Sequence, residues 1–209
     1  MNIRPTPDPQ DVRREGQLVS VLNELEAAWR SGGAPIAESL APGLEPAQID
    51  DLTAADDLVV PDGLKLWWGW HNGIVPGSTS PSDLETGMTY ALISLQQALE
   101  IRSTLLAEAG DPIDDLLPDV YWRESWLPVV GSAHTCLFVD AADPSATPVR
   151  EKNWTWEELL TVRAGTLTEI AEAWLHVLTR GWVYRAGGPH DGWSDRPGMP
   201  LYLRKSSLI

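Results

Sequence analysis

The order of hydrophobic patterns along the chain restricts its fold more than any other sequence feature. Apolar residues recur at three- and four-residue steps over residues 14–31 and again over 167–178, as in amphipathic helices that bury one face. Between these helices, short apolar runs at 126–131, 134–140 and 147–154 are separated by turns, which is hairpin spacing. Helices that bracket a run of strands indicate an α+β fold rather than a parallel doubly wound sheet. We therefore predict a single α+β domain with a central antiparallel sheet of about four to six strands, flanked by helices.

Capping signals locate two of the helices. Ser94 and Gln97 have the spacing of a capping box, in which each side chain bonds the backbone N–H of the other residue. Thr166 and Glu169 have the same spacing. We expect one helix from the first pair to about Glu108, and the closing helix from the second pair.

Shorter elements are predicted between these helices. A short helix is expected from Pro46 to about Ala54, with Ile49 and Leu52 on its buried side. The run at 88–94 is apolar and rich in residues that favour strands, so we predict a strand there.

The chain length favours one domain, since 209 residues suit a single core and the 43% hydrophobic content excludes general disorder. We assign residues 15–181 to the domain, 1–14 to a flexible N-terminus, and 182–209, rich in Gly and Pro, to an extension that packs on the domain. The N-terminal residues lack the apolar core of a signal peptide, and no run approaches the roughly 18 apolar residues of a membrane span. A cytoplasmic protein is therefore expected.

The negative charge is unevenly distributed. Residues 1–150 carry 23 acidic and 8 basic side chains, whereas residues 151–209 carry 7 of each, so the net charge of −15 lies in the first part. Phosphate backbones and anionic headgroups bind clustered Lys and Arg, so we expect no binding to nucleic acid or membrane. An acidic face would instead steer a basic protein partner inward. Alternatively, the acidic side chains serve solubility alone.

Candidates for chemistry are few. Cys136 and His134 would share one face of a strand, as a nucleophile and its base could, but a cysteine within Cys-Leu-Phe-Val is also typical of a small buried hydrophobe. Asp140 and Asp143 at a strand end could bind a cation or shape a turn. The single cysteine excludes an intramolecular disulfide, the four histidines are scattered, and no glycine loop for phosphate occurs. We therefore predict no catalytic residue, no metal and no cofactor.

Segment 61–73 is the most distinctive in the chain. Asp62 can cap a helix that begins at Gly63, and Asn72-Gly73 can end that helix in the left-handed conformation. The three tryptophans of the segment cannot all face one core, because side chains one or two positions apart diverge by about 100–200° around a helix. At least one of them must pack in a second core layer or lie exposed as an interface anchor.

Together with downstream elements, this segment resembles the SUKH superfamily. A proline precedes a helix that ends in paired hydrophobic residues and His-Asn-Gly; a Trp-x-Pro strand and a strand ending in Asp follow. The resemblance covers about residues 15–180. The positions that carry it are Pro61, Trp67, Trp68, His71, Asn72, Gly73, Trp126, Pro128 and Asp140.

The resemblance implies a central antiparallel sheet with flanking helices, and it carries over no catalytic residue. The family includes bacterial immunity proteins that neutralise toxin domains, often nucleases, and fungal regulators of cell-wall assembly that act as interaction modules. A nuclease toxin is usually basic where it meets phosphate, so an acidic inhibitor could block its cleft. We therefore expect a non-catalytic immunity protein, a monomer or weak homodimer, that binds a basic toxin domain.

Two other functions stay open: a housekeeping interaction or scaffold protein with a different partner, and an unrecognised hydrolase or ligand-binding enzyme. For the binding function, the expected aromatic anchor is Trp70 or Trp122. The expected acidic face comprises Asp50, Asp51, Asp56, Asp57, Asp62, Asp111, Asp114, Asp115 and Asp119.

Overall fold

The fold combines helices with antiparallel strands, and its longer helices and its central hairpin lie where the sequence patterns predict them. The computed structural model describes residues 9–34, 36–77, 90–110, 122–132, 134–152, 160–181, 183–185 and 193–195. Among these residues the α-helices are α1 (Pro9–Ser31), α2 (Ile36–Ser39), α3 (Pro46–Thr53), α4 (Asp62–Trp70), α5 (Leu95–Gly110) and α6 (Leu167–Thr179), with a 3₁₀ turn at Ala54–Asp56. The strands are β1 (Leu40–Pro42), β2 (His71–Ile74), β3 (Trp126–Gly131), β4 (Cys136–Asp140), β5 (Val149–Lys152), β6 (Leu160–Ala164), β7 (Val183–Arg185) and β8 (Trp193–Asp195).

The main sheet has four strands in the order β3-β4-β5-β6, each antiparallel to its neighbour. In the β3–β4 hairpin, Trp126 lies opposite Asp140 and Gly131 lies opposite Cys136. Gly131 has a φ of +107°, and a Cβ there would lie 2.8 Å from the Cα of Cys136, so only glycine fits this close approach. The predicted α+β fold with an antiparallel sheet is confirmed.

Strand predictions differ in accuracy. The run predicted at 147–154 forms β5, whereas β6 was not predicted from the sequence. The strand predicted at 88–94 is described from Tyr90 onward, where it contributes an isolated bridge between Leu92 and Val130. It lies at the outer edge of β3, so its contribution to the sheet is shorter than predicted.

Two small antiparallel ribbons accompany the sheet. In one, β1 pairs with β2, so that Leu40 lies opposite Ile74. In the other, β7 pairs with β8, with Val183 opposite Asp195. The second ribbon is the described part of the predicted 182–209 extension, and β7 contacts α6.

The main core lies between α1, α4, α6 and one face of the sheet. From α1, Leu22, Leu25 and Trp29 are fully buried. Trp67 of α4 meets Trp174 of α6 edge to face, with ring centroids 6.1 Å apart. Removal of these large side chains from water is the main stabilising contribution to the helical layer.

A second hydrophobic cluster covers the opposite face of the sheet. Side chains of β4 alternate between the two faces, so Leu137 joins the main core and Phe138 joins the second cluster. Phe138 packs against Trp122 and Trp126, with centroids 4.8 Å from each, and Leu105 of α5 closes the cluster. Because both faces are buried, β3 and β4 are apolar almost throughout.

The predicted capping box at Ser94 is confirmed, and at Thr166 one of its two bonds is present. At the start of α5, the N–H of Gln97 donates to Ser94 Oγ (3.1 Å), and the N–H of Ser94 donates to Gln97 Oε1 (2.9 Å). At the start of α6, Thr166 Oγ1 accepts from the N–H of Glu169 (3.2 Å). Here the Glu169 carboxylate bonds the N–H of Gly165 (2.8 Å) instead of the cap residue's own N–H.

Two predictions about the N-terminal half are wrong. Helix α1 begins at Pro9, so residues 9–14, assigned to a flexible N-terminus, are helical. Proline is tolerated in a first turn, where its missing N–H has no intrahelical partner to lose. Helix α3 buries Ile49 and Thr53 on one stripe, and Leu52, at the margin of that stripe, is 37% exposed.

Two charged residues of β5 are buried, a feature the sequence did not indicate. Glu151 and Lys152 are 0% and 1% exposed, and as neighbours in a strand they lie on opposite faces. Glu151 accepts hydrogen bonds from the Tyr90 hydroxyl and from Arg163 Nε. Burial and the Glu151 carboxylate raise the pKa of Tyr90 well above its ordinary value, and burial lowers the pKa of Lys152.

Candidate partner-binding surface

The segment 61–73 forms helix α4 and strand β2 instead of one capped helix. The helix begins at Asp62, one residue before the prediction, and its N-cap is Pro61, which makes no side-chain cap bond. His71, the C-cap residue, is already extended, with a φ of −147°. The predicted helix end at Asn72-Gly73 is therefore wrong, because these residues belong to β2, which pairs with β1; Gly73 does have a positive φ of 72°.

Two residues of the His-Asn-Gly motif join neighbouring elements. Asn72 Oδ1 accepts a hydrogen bond from the N–H of Leu95 (2.8 Å) and so caps α5 from a distant part of the chain. His71 Nδ1 lies 2.8 Å from the carbonyl oxygen of Ala41, and its Nε2 lies 3.1 Å from Glu26 Oε2. These contacts give the motif a structural role at the junction of α1, β1, β2 and α5.

Glu26 is the acidic partner at that junction. Burial acts to raise the pKa of the Glu26 carboxyl, but hydrogen bonds from His71 and Arg30 outweigh it and hold the pKa below its ordinary value. Arg30 also reaches Glu38 of α2, at 3.3 Å. The carboxylate is therefore already compensated within the fold.

The tryptophans of segment 61–73 and Trp122 lie within the hydrophobic clusters or at their margin. Trp67 and Trp68 are fully buried, and Trp70 is half-buried and stacks on Trp29, with centroids 6.0 Å apart. Trp122 is 2% exposed in the second cluster. The prediction of Trp122 as an exposed anchor is therefore wrong, and Trp70 lies at the margin of the main core.

Five of the nine predicted aspartates lie in residues 50–62, here called the acidic segment, which runs from α3 to the first turn of α4. Asp50 forms a salt bridge with Lys65 (2.5 Å), and Asp56 forms one with Arg102 (2.7 Å). Of these five, Asp51, Asp57 and Asp62 are exposed and have no salt bridge among the described residues. The predicted residues that lie outside the described ranges are Asp111, Asp114, Asp115 and Asp119.

An acidic cleft adjoins this segment. It has a volume of about 720 Å³ and lies between the N-terminal parts of α1, α4 and α6 and the turn at 144–147. Among the described residues, its lining includes four Ser and Thr residues but no Lys or Arg. The charged residues that line it are Glu15, Asp62, Glu169 and Glu172.

Asp62 belongs both to the acidic segment and to the cleft. The other cleft carboxylates were not predicted, because they come from helices more than a hundred residues apart in sequence that meet only in the folded chain. A contact within the lining shows this packing: Gln17 Nε2 of α1 donates to Glu172 Oε1 of α6 at 2.9 Å. The one available signal was an acidic residue in the first turn of both α4 and α6, where the helix dipole favours it.

The candidates for chemistry take structural positions. Cys136 is buried, and burial raises the pKa of its thiol to about 12, so it is protonated; His134 is exposed. Asp140 Oδ1 accepts from the N–H of Ala142 (3.0 Å), and Asp143 Oδ1 accepts from the N–H of Ser145 (2.9 Å), so both aspartates shape the turn after β4. No group of three or more His, Cys, Asp or Glu side chains suited to a metal occurs among the described residues.

The remaining motif residues, Trp126 and Pro128, are buried in β3.

No helix in the described ranges has both the length and the apolar character needed to cross a bilayer. No protein-family model matches the chain, and no curated protein matches it.

Proposed function

We propose that this chain is a non-catalytic protein-binding module whose acidic surface receives a basic protein partner. The observation that carries the proposal is the pairing pattern in the acidic segment. Asp50 and Asp56 are compensated by Lys65 and Arg102, whereas the other three aspartates are exposed without a salt bridge among the described residues. Charges that a fold does not compensate itself remain available to an external cation.

The adjoining cleft extends the same surface. The charged residues described in its lining are all acidic, and Asp62 makes the cleft continuous with the acidic segment. Surfaces lined by one sign of charge focus the field and raise the association rate of an oppositely charged partner.

The SUKH resemblance suggests what the partner is. The order of elements from α1 to α6 suits that family's expected sheet with flanking helices, and the motif residues lie in the core and at element junctions. On this basis the chain is a bacterial immunity protein that acts in the cytoplasm, as a monomer or weak homodimer, and neutralises a basic toxin domain. If the toxin is a nuclease, the acidic surface occupies its phosphate-binding cleft.

A housekeeping interaction protein is the second candidate, since the same acidic surface would serve a different basic partner. Gene neighbourhood separates the two. An immunity protein is expected beside a gene whose product ends in a toxic domain, and its co-expression protects cells from that product.

To test whether the acidic segment attracts the partner, we compare two variants that have the same change in net charge. Asp51→Lys/Asp57→Lys reverses two uncompensated carboxylates in the acidic segment, and Glu100→Lys/Glu124→Lys reverses two exposed carboxylates outside it. Association with the purified neighbouring gene product is measured at low and high salt. We expect the first variant to slow association at least about tenfold at low salt and the second to change it little. Equal effects of the two variants would refute a localised acidic interface.

A further inference from the structure

The acidic segment carries an exposed apolar side chain that the core does not use. Val59 is 84% exposed, and Leu52, seven residues earlier, is 37% exposed. The centre of a protein interface is apolar and its rim is polar. The tryptophans first expected as anchors are buried or packed at the core margin, and Val59 is the most exposed apolar side chain of the acidic segment.

The backbone holds Val59 outward. Val60 and Pro61, which follow it, are buried, and the preceding Leu58 packs against the main core. The N–H of Leu58 also bonds the carbonyl of Thr53 at 3.4 Å, which closes the turn after α3. Both sides of Val59 are therefore fixed, and a partner would not have to order this segment on binding.

The charges around Val59 define what can cover it. Asp57 lies two residues before it and Asp62 three residues after it, and Asp51 precedes Leu52 directly. All three are exposed and lack a salt bridge in the described ranges, whereas Asp50 and Asp56 already have cationic partners. A second copy of this chain, with its net charge of −15, would bring like charges together at this surface.

We propose that Val59, with Leu52 in the same acidic segment, is the apolar centre of a docking surface for a basic polypeptide segment, one that presents an apolar side chain flanked by Lys or Arg. This inference rests on the proposed function and specifies its contact. The partner's apolar side chain covers Val59, and its cations meet Asp51, Asp57 and Asp62.

The test selects peptides on the intact protein. Random dodecapeptides displayed on phage are panned against the immobilised full chain, and the enriched peptides are synthesised and their affinities measured. We expect peptides that combine Lys or Arg with a large apolar residue. Their dissociation constant should rise at least about tenfold for Val59→Ser, the loss expected for one buried aliphatic contact.

Val162→Ser is the matched control, since Val162 is 64% exposed in β6, outside the acidic segment, and its replacement should leave affinity unchanged. Both variants should keep the wild-type melting temperature because neither side chain is buried. Basic peptides whose binding depends on Asp51 and Asp57 but not on Val59 would overturn this inference and leave the proposed function standing. Selection that yields no basic peptides would overturn both.

Discussion

His71 and Glu26 form a link between strand β2 and helix α1, with His71 Nε2 3.1 Å from Glu26 Oε2. The other ring nitrogen, Nδ1, lies 2.8 Å from the carbonyl oxygen of Ala41, which can only accept a hydrogen bond. One ring thus contacts both the Ala41 carbonyl and the Glu26 carboxylate, and it joins β1 and α1 to β2.

We predict that Glu26→Gln destabilises the protein by about 1.5 kcal/mol near neutral pH, as for a hydrogen bond to a charged group. The pKa of Glu26 is lowered in the fold from its ordinary 4.5. Its contribution is therefore fully present above that value and is lost as pH falls through the lower folded pKa. Denaturant unfolding over a pH series measures it, with Glu24→Gln as the control, since Glu24 is exposed. A penalty that does not shrink on acidification would contradict the assignment.

The Glu151 carboxylate is buried and depends on Arg163 for charge compensation. We predict that Arg163→Met costs about 3–5 kcal/mol, because it leaves a buried charge without its counterion. The double variant Arg163→Met/Glu151→Met should recover much of that loss. A double-mutant cycle by chemical denaturation measures the coupling, and additive losses would show that the two groups act independently.

A close backbone contact makes Gly43 intolerant of any side chain. A Cβ on Gly43 would lie 2.5 Å from the carbonyl carbon of Gly69 and nearer still to its oxygen. We predict that Gly43→Ala lowers the free energy of unfolding by more than about 2 kcal/mol. Gly69→Ala is the control, because Gly69 is the residue whose carbonyl group approaches Gly43. There the added Cβ meets only the oxygen of Leu44 at 3.5 Å, and the helix gains about 0.5–1 kcal/mol.

Asp57 has a left-handed backbone, with a φ of 55°. Glycine adopts this conformation without strain, whereas alanine costs roughly 1 kcal/mol or more there. Thermal denaturation should therefore show a wild-type melting temperature for Asp57→Gly and a lower melting temperature for Asp57→Ala. With stability preserved, any slower partner association of Asp57→Gly reports the lost charge; a destabilised Asp57→Gly would contradict the backbone argument.

The thiol of Cys136 should be unreactive in the folded protein. Burial raises its pKa to about 12, and the side chain is fully enclosed. We predict no reaction with a thiol-specific chromogenic reagent at mildly alkaline pH and one equivalent after denaturation. Rapid modification of the native protein would place Cys136 near the surface.

Local signals predicted those parts of the fold that depend on residues close in sequence. The capping boxes at Ser94 and Thr166 and the β3–β4 hairpin are of this kind, because their partners lie within a few residues. Strand β1 was missed because its partner, β2, lies some thirty residues away. Strand β6 was missed although Leu160, Val162 and Ala164 alternate with polar residues, a short pattern that competed with turn signals nearby.

The candidate site was predicted less well than the fold. The charges of the acidic segment can be read directly from the sequence, but their compensation cannot, since Asp56 is neutralised by Arg102 from a different helix. Likewise, Trp122 is interior because Phe138 and Trp126 of two neighbouring strands pack against it on the same face of the sheet. Val59 is exposed because tertiary contacts fix both ends of its turn. Hydrophobic periodicity in the sequence does not predict such contacts.

Strand β4 serves as a shared wall between the two hydrophobic compartments, since alternate residues along it belong to different clusters. If either cluster unpacks, β4 is no longer held in place, and the β4 side chains of the other cluster become exposed to water. The main core and the second hydrophobic cluster should consequently lose structure in one cooperative transition.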